Sequence, residues 1–404
     1  MGTNIPVVVI GGGPAGLSVS YELQRAGVEH AVLERGRVAE TWRRRWDSFC
    51  LVTPNWTVKV PGGEYAGDDP DGFMQRDDIV AHFQRYADAF AAPVHEGVDV
   101  LALRTSSNGF VLETSEGEIR ADGVVVGSGA FQRPHRPPDA DLPTGVLAID
   151  SLDYTNPGDL PAGAILVVGS GQTGCQIAEE LHGAGRDVTL ACGKAAWLPR
   201  RLEGRDIVAW VSETPFLEQR LDELSSPLAR LAANFQTTGR DGGHDLHYRT
   251  LAADGVTLVG RFLGAAGDSV RFAPDLHESV AWGDARQADM RTLLERTAQA
   301  RGTRAPDLPE PEPFKADPPE ETSSRGLGAM IFTSGFRPDY RAWIHTPGAF
   351  DDAGFPIQIE GASTVVPGLY FIGTHFLRKR KSSTLLGMAE DAGVVTAAIA
   401  ERLS

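Results

Sequence analysis

Two short stretches place three glycines each on a spacing that can cradle a phosphate. Gly11, Gly13 and Gly16 follow the apolar run Pro6–Ile10, and Gly169, Gly171 and Gly174 follow Ile165–Val168. In a G-x-G-x-x-G turn the first glycine makes the bend, the second lets backbone approach a pyrophosphate, and the third lets helix and strand pack closely. The next helix points unsatisfied N–H groups at the phosphate charge. Pro14 and Ala15 fill the first turn, Gln172 and Thr173 the second, so these positions join the glycines as candidate cofactor contacts. The two units differ at the end of their second strand. Glu34 stands 23 residues after Gly11, where a strand-end carboxylate accepts hydrogen bonds from both hydroxyls of an adenosine ribose. The same count from Gly169 reaches Cys192, flanked by Ala191 and Gly193. A carboxylate there would repel a 2′-phosphate; without one, cations can pair with it. Lys194, Arg200 and Arg201 are the candidates, with plain solvated surface charge as their alternative reading. The two turns therefore predict two dinucleotides, FAD on the first and NADPH on the second.

Such turns work only between a buried parallel strand and a helix. Pro6–Ile10 reads as that strand, and Ala15, Leu17, Val19, Leu23 and Ala26 give the next helix its inner side. Gly27 ends it, and Ala31–Leu33 forms the second strand. Ile177, Ala178 and Leu181, then Asp187–Leu190, repeat the plan behind the second turn. Val124–Val126 and Leu369–Ile372 are further buried strands, and Pro134–Pro143 is a stiff crossover. A helix from near Ser383 carries Leu385, Met388, Ala392, Val395 and Ile399, its positive end aimed at a flavin. The expected fold class is α/β, with two Rossmann-like dinucleotide-binding domains. The FAD-binding domain takes 1–140 and 328–404. The NADPH-binding domain, 141–327, is inserted, with a substrate-side insertion around 212–325. Within that insertion Asp222–Ala233 and Asp284–Gln299 read as helices, and Pro306–Glu321 is too proline-rich for regular structure. His244 and His247 read as ordinary polar loop residues, with substrate or nicotinamide contact as the alternative. The basic run Arg378–Lys381 is either a solvated loop or an anion contact.

Composition closes off other classes. The 404 residues suffice for two well-buried cores, and a net charge of −16 argues against nucleic acid or an anionic membrane as partner. Cys50, Cys175 and Cys192 are too few and scattered for a disulfide framework or a zinc site. No C-x-x-C pair exists for a local redox disulfide. No metal is expected. No apolar run approaches membrane-spanning length, and the N-terminus carries no basic leader, so a cytoplasmic location is expected.

Longer segments carry a resemblance that covers nearly the whole chain. They are ERGRVAETW (Glu34–Trp42), WDSFCLVTP (Trp46–Pro54), FMQRDDIVAHFQRYA (Phe73–Ala87), VVVGSGAFQRPHRP (Val124–Pro137), FTSGFRPDY (Phe332–Tyr340) and LYFIGTHFLRKRKSSTLLGMAEDA (Leu369–Ala392). The chain resembles the class B flavoprotein monooxygenases: flavin-containing monooxygenases, N-hydroxylases, Baeyer–Villiger enzymes and plant YUCCA-type enzymes. It is most similar to their small CzcO-like bacterial branch. The resemblance implies that Arg35, Thr41 and Trp42 pass beside the flavin. It implies a domain hinge at Gly129 and late flavin contacts from Gly373, Thr374, Thr384 and Leu385. Asn55 and Gln75 become candidate catalytic residues that could hydrogen-bond the reacting edge of the flavin, Gln75 also as a cofactor contact. Two positions depart from the family pattern. Asp150 occupies the usual histidine of an F-x-G-x-x-x-H-x-x-x-[YF] fingerprint in Gly145–Tyr154, and Gly373-Thr-His375 replaces a Gly-Asp.

The activity implied is an FAD-dependent monooxygenase. It would oxidise NADPH and insert one oxygen atom of O2 into a small-molecule substrate through a C4a-(hydro)peroxyflavin. The cofactor carries the hard chemistry, so no catalytic dyad is required of the protein. One alternative is an NADPH-dependent flavin reductase passing electrons to a quinone or protein acceptor. Another is a redox-sensing flavoprotein without turnover. Partners expected are the substrate and O2, with a homodimer allowed.

Overall fold

A computed structural model describes residues 4–137, 142–232 and 234–404, so part of the proline-rich crossover, 138–141, lies outside the described residues. The first sheet is built on the strand Asn4–Ile10. It pairs in parallel with His30–Glu34 on one side and Gly117–Val126 on the other. Val7, Val8 and Val9 have no exposed surface, as a strand covered on both faces requires. Val94–Glu96 extends the sheet beyond His30–Glu34. Gly117–Val126 does double duty: it pairs antiparallel with Gly109–Thr114 and, through its last residues, parallel with Leu369–Phe371. The helices Pro14–Arg25 and Met388–Leu403 pack together over this sheet, with Leu17, Val19, Leu23, Ala392, Val395 and Ile399 in one core.

The second sheet has five parallel strands in the order Thr257–Val259, Val188–Ala191, Ala164–Val168, Leu327–Phe332, Leu147–Asp150. Leu327–Phe332 therefore lies in this sheet, so the return to the first sheet comes after 328. It falls at Phe336–Arg337, which pairs antiparallel with Arg133–Pro134 to make the crossover. A hydrophobic strand carries no label of which sheet it will complete, which is why a boundary at 328 looks natural in the sequence.

Three element expectations are corrected. The last helix begins at Met388, because Arg380–Ser383 forms a single 3-10 turn and Gly387 caps the helix. Of the helix expected over Asp222–Ala233, Ala233 lies outside the described residues and the rest is not helical: 3-10 turns at Leu221–Glu223 and Pro227–Leu231 occupy it, and Pro227 cannot continue a helix through its missing N–H. The helix expected over Asp284–Gln299 starts at Leu276 and ends at Arg301, where Gly302 turns left-handed. Among the described residues no helix is long and apolar enough to cross a membrane, and no cluster of metal-ligating side chains occurs.

Candidate functional site

At the first turn the strand ends crowd the glycines. A side chain on Gly16 would lie 1.9 Å from the Gly11 carbonyl oxygen, whereas one on Gly13 would meet nothing within 4 Å. The turn is thus closed toward the helix and open toward a ligand. Glu34 is buried, its Oε2 accepting the Gly12 N–H at 2.6 Å and its Oε1 the Gly36 N–H at 2.8 Å. Each oxygen keeps a second lone pair for a ribose hydroxyl. Gly373 follows the last strand and sits against the helix N-terminus, where a side chain on it would come 2.7 Å from Ala15 Cβ. Thr374 is buried beside it. The Ala39 N–H donates to the Gly12 carbonyl at 3.2 Å and lays the short helix Glu40–Arg43 over the turn. Pro14, Ala15, Trp42, Gly373 and Thr374 thus lie on segments that meet at this turn, and Gly129 follows the strand whose end packs on Gly11. Arg35 and Thr41 are exposed. Thr384 donates to the Lys381 carbonyl at 2.8 Å, and the Leu385 carbonyl accepts from Lys59 N–H at 3.2 Å, so both serve the turn before the last helix.

The two residues expected to be catalytic are placed differently. Asn55 is buried and committed at both ends: Nδ2 donates to the Asp69 carbonyl at 2.9 Å and Oδ1 accepts the Met74 N–H at 2.7 Å. These bonds lock the loop and fix the side chain's orientation, while one N–H and one carbonyl lone pair of the amide are left over. Gln75 is exposed at the N-cap of the helix Arg76–Ala89 with no capping bond from its side chain.

The second turn repeats the first. A side chain on Gly174 would lie 2.0 Å from the Gly169 carbonyl oxygen. Gly171 caps the helix Gln172–Gly183, Thr173 is half-buried on its first turn, and Gln172 Nε2 donates to the Phe235 carbonyl at 3.1 Å. Braces not visible in the motif hold this turn: Thr333 Oγ1 donates to the Gly169 carbonyl at 2.6 Å, and Ser170 Oγ pairs with Tyr248 OH at 2.5 Å. They come from distant sequence, so only the three-dimensional pairing reveals them. Cys192 is fully buried where Glu34 stands in the first unit. Of the three cations expected to meet a 2′-phosphate, Lys194 is exposed just past that strand, with no hydrogen bond or ion pair from its side chain among the described residues. Arg200 is 1% exposed and clamps Asp206 with two bonds of 2.5 Å, and Arg201 donates to the Gly242 and Gly243 carbonyls at 2.6 Å. Those two are structural, a correction the sequence could not supply, because the partner of Arg200 lies across a hairpin. Arg261 was missed; its side chain lies near Gly193 and pairs with Asp275 at 2.5 Å.

Other candidates also find partners. Asp150, in place of the usual histidine, forms a bidentate pair with Arg136 at 2.9 and 3.1 Å. His247 caps the helix Tyr248–Asp254 and packs at a tilt on Trp197, ring centres 4.3 Å apart, and His244 bonds Glu179 at 2.5 Å. Arg378–Lys381 is neither a solvated loop nor an anion site. Lys379 and Lys381 grip Glu218 and Glu390, Arg378 holds Glu360, Glu390 and Asp391, and Arg380 lies 4.2 Å over Phe216.

A mixed sheet and a parallel sheet, each with a glycine turn between a parallel strand and a helix and joined by a paired crossover, define the two-dinucleotide flavoprotein fold. Residues 8–260 match the pyridine nucleotide-disulphide oxidoreductase family, and the chain belongs to it. It is an oxidoreductase of the kind that uses a flavin and a nicotinamide nucleotide. It is 29% identical over 391 residues to an uncharacterized CzcO-like oxidoreductase of Geobacillus kaustophilus, covering 96% of both chains. A probable indole-3-pyruvate monooxygenase of Arabidopsis thaliana, YUCCA3, is 26% identical over 49% of this chain and 48% of its own. The flavin-containing monooxygenase from Stenotrophomonas maltophilia has the same fold, with a TM-score of 0.70 at 18% identity and full coverage of both chains.

Proposed function

We propose that the chain is an FAD-dependent monooxygenase that uses NADPH and O2 to oxygenate a small molecule. The domain assignment proposed with it gives FAD the first sheet and NADPH the second. Gly11–Gly16 would take the pyrophosphate of FAD, Glu34 its ribose, and Gly373 and Thr374 the far end. Lys194 would take the 2′-phosphate of NADPH, with Arg261 beside it. A flavin held at the first turn would supply the two-electron redox chemistry between a nicotinamide and dioxygen. The chain's own part is to orient both nucleotides and keep water out. His375, pushed down to about 4 by burial with the Arg230 charge adding, is neutral at pH 7 and resists taking up a proton there.

The observation that carries this reading over a disulfide reductase is the state of the thiols. All three cysteines are buried and unpaired. Burial pushes the Cys50 thiol up to about 11, and the Cys175 and Cys192 thiols rise further. Thiol–disulfide relay needs an accessible thiolate, and none of these supplies one. The sequence relationship to enzymes named as monooxygenases supports the oxygenase side.

The test is a balance of atoms. Flavin-loaded protein would be given NADPH, a substrate panel and isotopically labelled dioxygen. One labelled oxygen in the product, one in water and one NADPH consumed per product support the reading. NADPH consumption that yields only hydrogen peroxide or a reduced quinone across the panel rejects it.

A further inference from the structure

Arg45 is a cation with nothing to pair with among the described residues. The residue is only partly exposed, and its Nε is shut off from solvent with no hydrogen-bond partner. Arg200, Arg230 and Arg380 also bury a bare Nε, but each engages its terminal nitrogens, on Asp206, Asp351 and Gln219. The Arg45 guanidinium forms no hydrogen bond and no ion pair among the described residues; what surrounds it is aromatic. It lies 5.6 Å from the Phe49 ring centre and 5.8 Å from that of Phe131. Phe131 meets Phe336 at 5.4 Å and His375 at 5.6 Å.

Desolvating a cation without a partner is costly. Contact with ring faces returns less than it costs, so the rings alone do not balance it. Burial lowers the Arg45 guanidinium to about 10, which still leaves it charged at pH 7, while His375 is neutral. An uncompensated positive charge therefore sits among aromatic walls. The walls converge beside the first turn: Arg45 follows the helix anchored on Gly12, Phe131 follows Gly129, and His375 follows Gly373. The pyrophosphate there already has its own donors in the turn. Phe131 is 43% exposed, so this wall faces solvent.

We propose that Arg45 is the anion-binding residue of the substrate site, taking the carboxylate of a small aromatic acid whose ring packs against the open face of Phe131. This rests on the first turn being the flavin site. A charged hydrogen bond in such a place separates an acid from its neutral amide by about tenfold in affinity.

The probes are phenylacetate, 3-phenylpropionate and the amide of each, titrated into flavin-loaded protein while the flavin absorbance is followed. At least one acid is expected to shift the spectrum and to bind about tenfold more tightly than its amide. Arg45→Met is expected to bring that ratio near one with flavin content unchanged, and Arg45→Lys, which keeps the charge, to retain part of it. Equal binding of acid and amide, or no spectral change with either acid, overturns the proposal. So does Arg45→Met losing flavin or NADPH affinity in parallel, which would assign the guanidinium to a cofactor phosphate. Because the readout is binding, it stands apart from oxygen transfer: an enzyme that never oxygenates still yields an acid-to-amide ratio.

Discussion

At the scale of single residues, charge burial sorts the arginines that look alike in the run CGKAAWLPRR. Arg200 and Asp206 form a buried pair, with further bonds from the guanidinium to the Val52 carbonyl at 2.8 Å and Thr237 Oγ1 at 3.1 Å. Removing one partner leaves the other charge buried alone, so Arg200→Met is expected to destabilise by about 3–5 kcal/mol. Chemical denaturation checks it, and a loss under about 1 kcal/mol would mean that the pair is solvated. Lys194 sits close to both arginines in sequence yet faces solvent, so Lys194→Ala should leave stability nearly unchanged. It should weaken NADPH binding about tenfold, the share of one charged contact, and leave NADH binding alone. Equal effects on the two nucleotides would move the 2′-phosphate elsewhere, Arg261 being the next residue to test.

At the scale of elements, the glycine turns were legible because every requirement of the motif is local: strand, bend, close helix contact and a strand-end acid lie in one continuous stretch. The sheet membership of Leu327–Phe332 and the bracing of Gly169 by Thr333 were not, because both depend on strands that meet only after folding. The basic run Arg378–Lys381 failed for the same reason. Its partners Glu218, Glu360 and Glu390 come from three separate elements, and together they clasp the insertion to the last helix. Burial alone would raise the Glu390 carboxyl, but hydrogen bonds from Lys379, Lys381 and Arg378 outweigh it and bring the group down to about 2. A carboxyl lowered on folding adds stability above its unfolded value, near 4.5, and loses that contribution as pH falls toward 2. Glu390→Gln should therefore be less stable than wild type at pH 7, by about 1 kcal/mol given the partial exposure of the cluster. The difference should shrink as pH is lowered from 4.5 toward the limit where the protein stays folded. A gap that holds constant with pH would show that the glutamate acts through packing.

At the scale of the whole molecule, the proposed hydride exchange would need the two sheets held in register, and one segment ties them together. Trp46 belongs to the first unit by sequence but is buried in the core of the second, with Tyr154 and Leu160. Its ring meets Phe49 edge-on at 4.9 Å and Tyr154 at 6.5 Å. Polar ties run alongside: Ser48 Oγ and Tyr154 OH donate to the two oxygens of Glu180 at 2.7 and 2.9 Å, and the Asp47 N–H donates to the Thr155 carbonyl at 2.9 Å. None of these residues touches either glycine turn, so loosening them should leave binding of each nucleotide intact and change only how the two meet. Trp46→Ala is expected to cost about 3–5 kcal/mol in stability. Trp46→Phe, which keeps an aromatic plug, should cost less and is the variant to assay if the alanine form does not fold. Anaerobic mixing with NADPH then reads the consequence. If this segment sets the spacing, flavin reduction slows at least about tenfold at saturating NADPH while flavin content and nucleotide affinity hold, because small misplacements of reacting groups have large effects on rate. Unchanged reduction in a folded variant would place the control of hydride transfer in the crossover pair Arg133–Pro134 with Phe336–Arg337 instead.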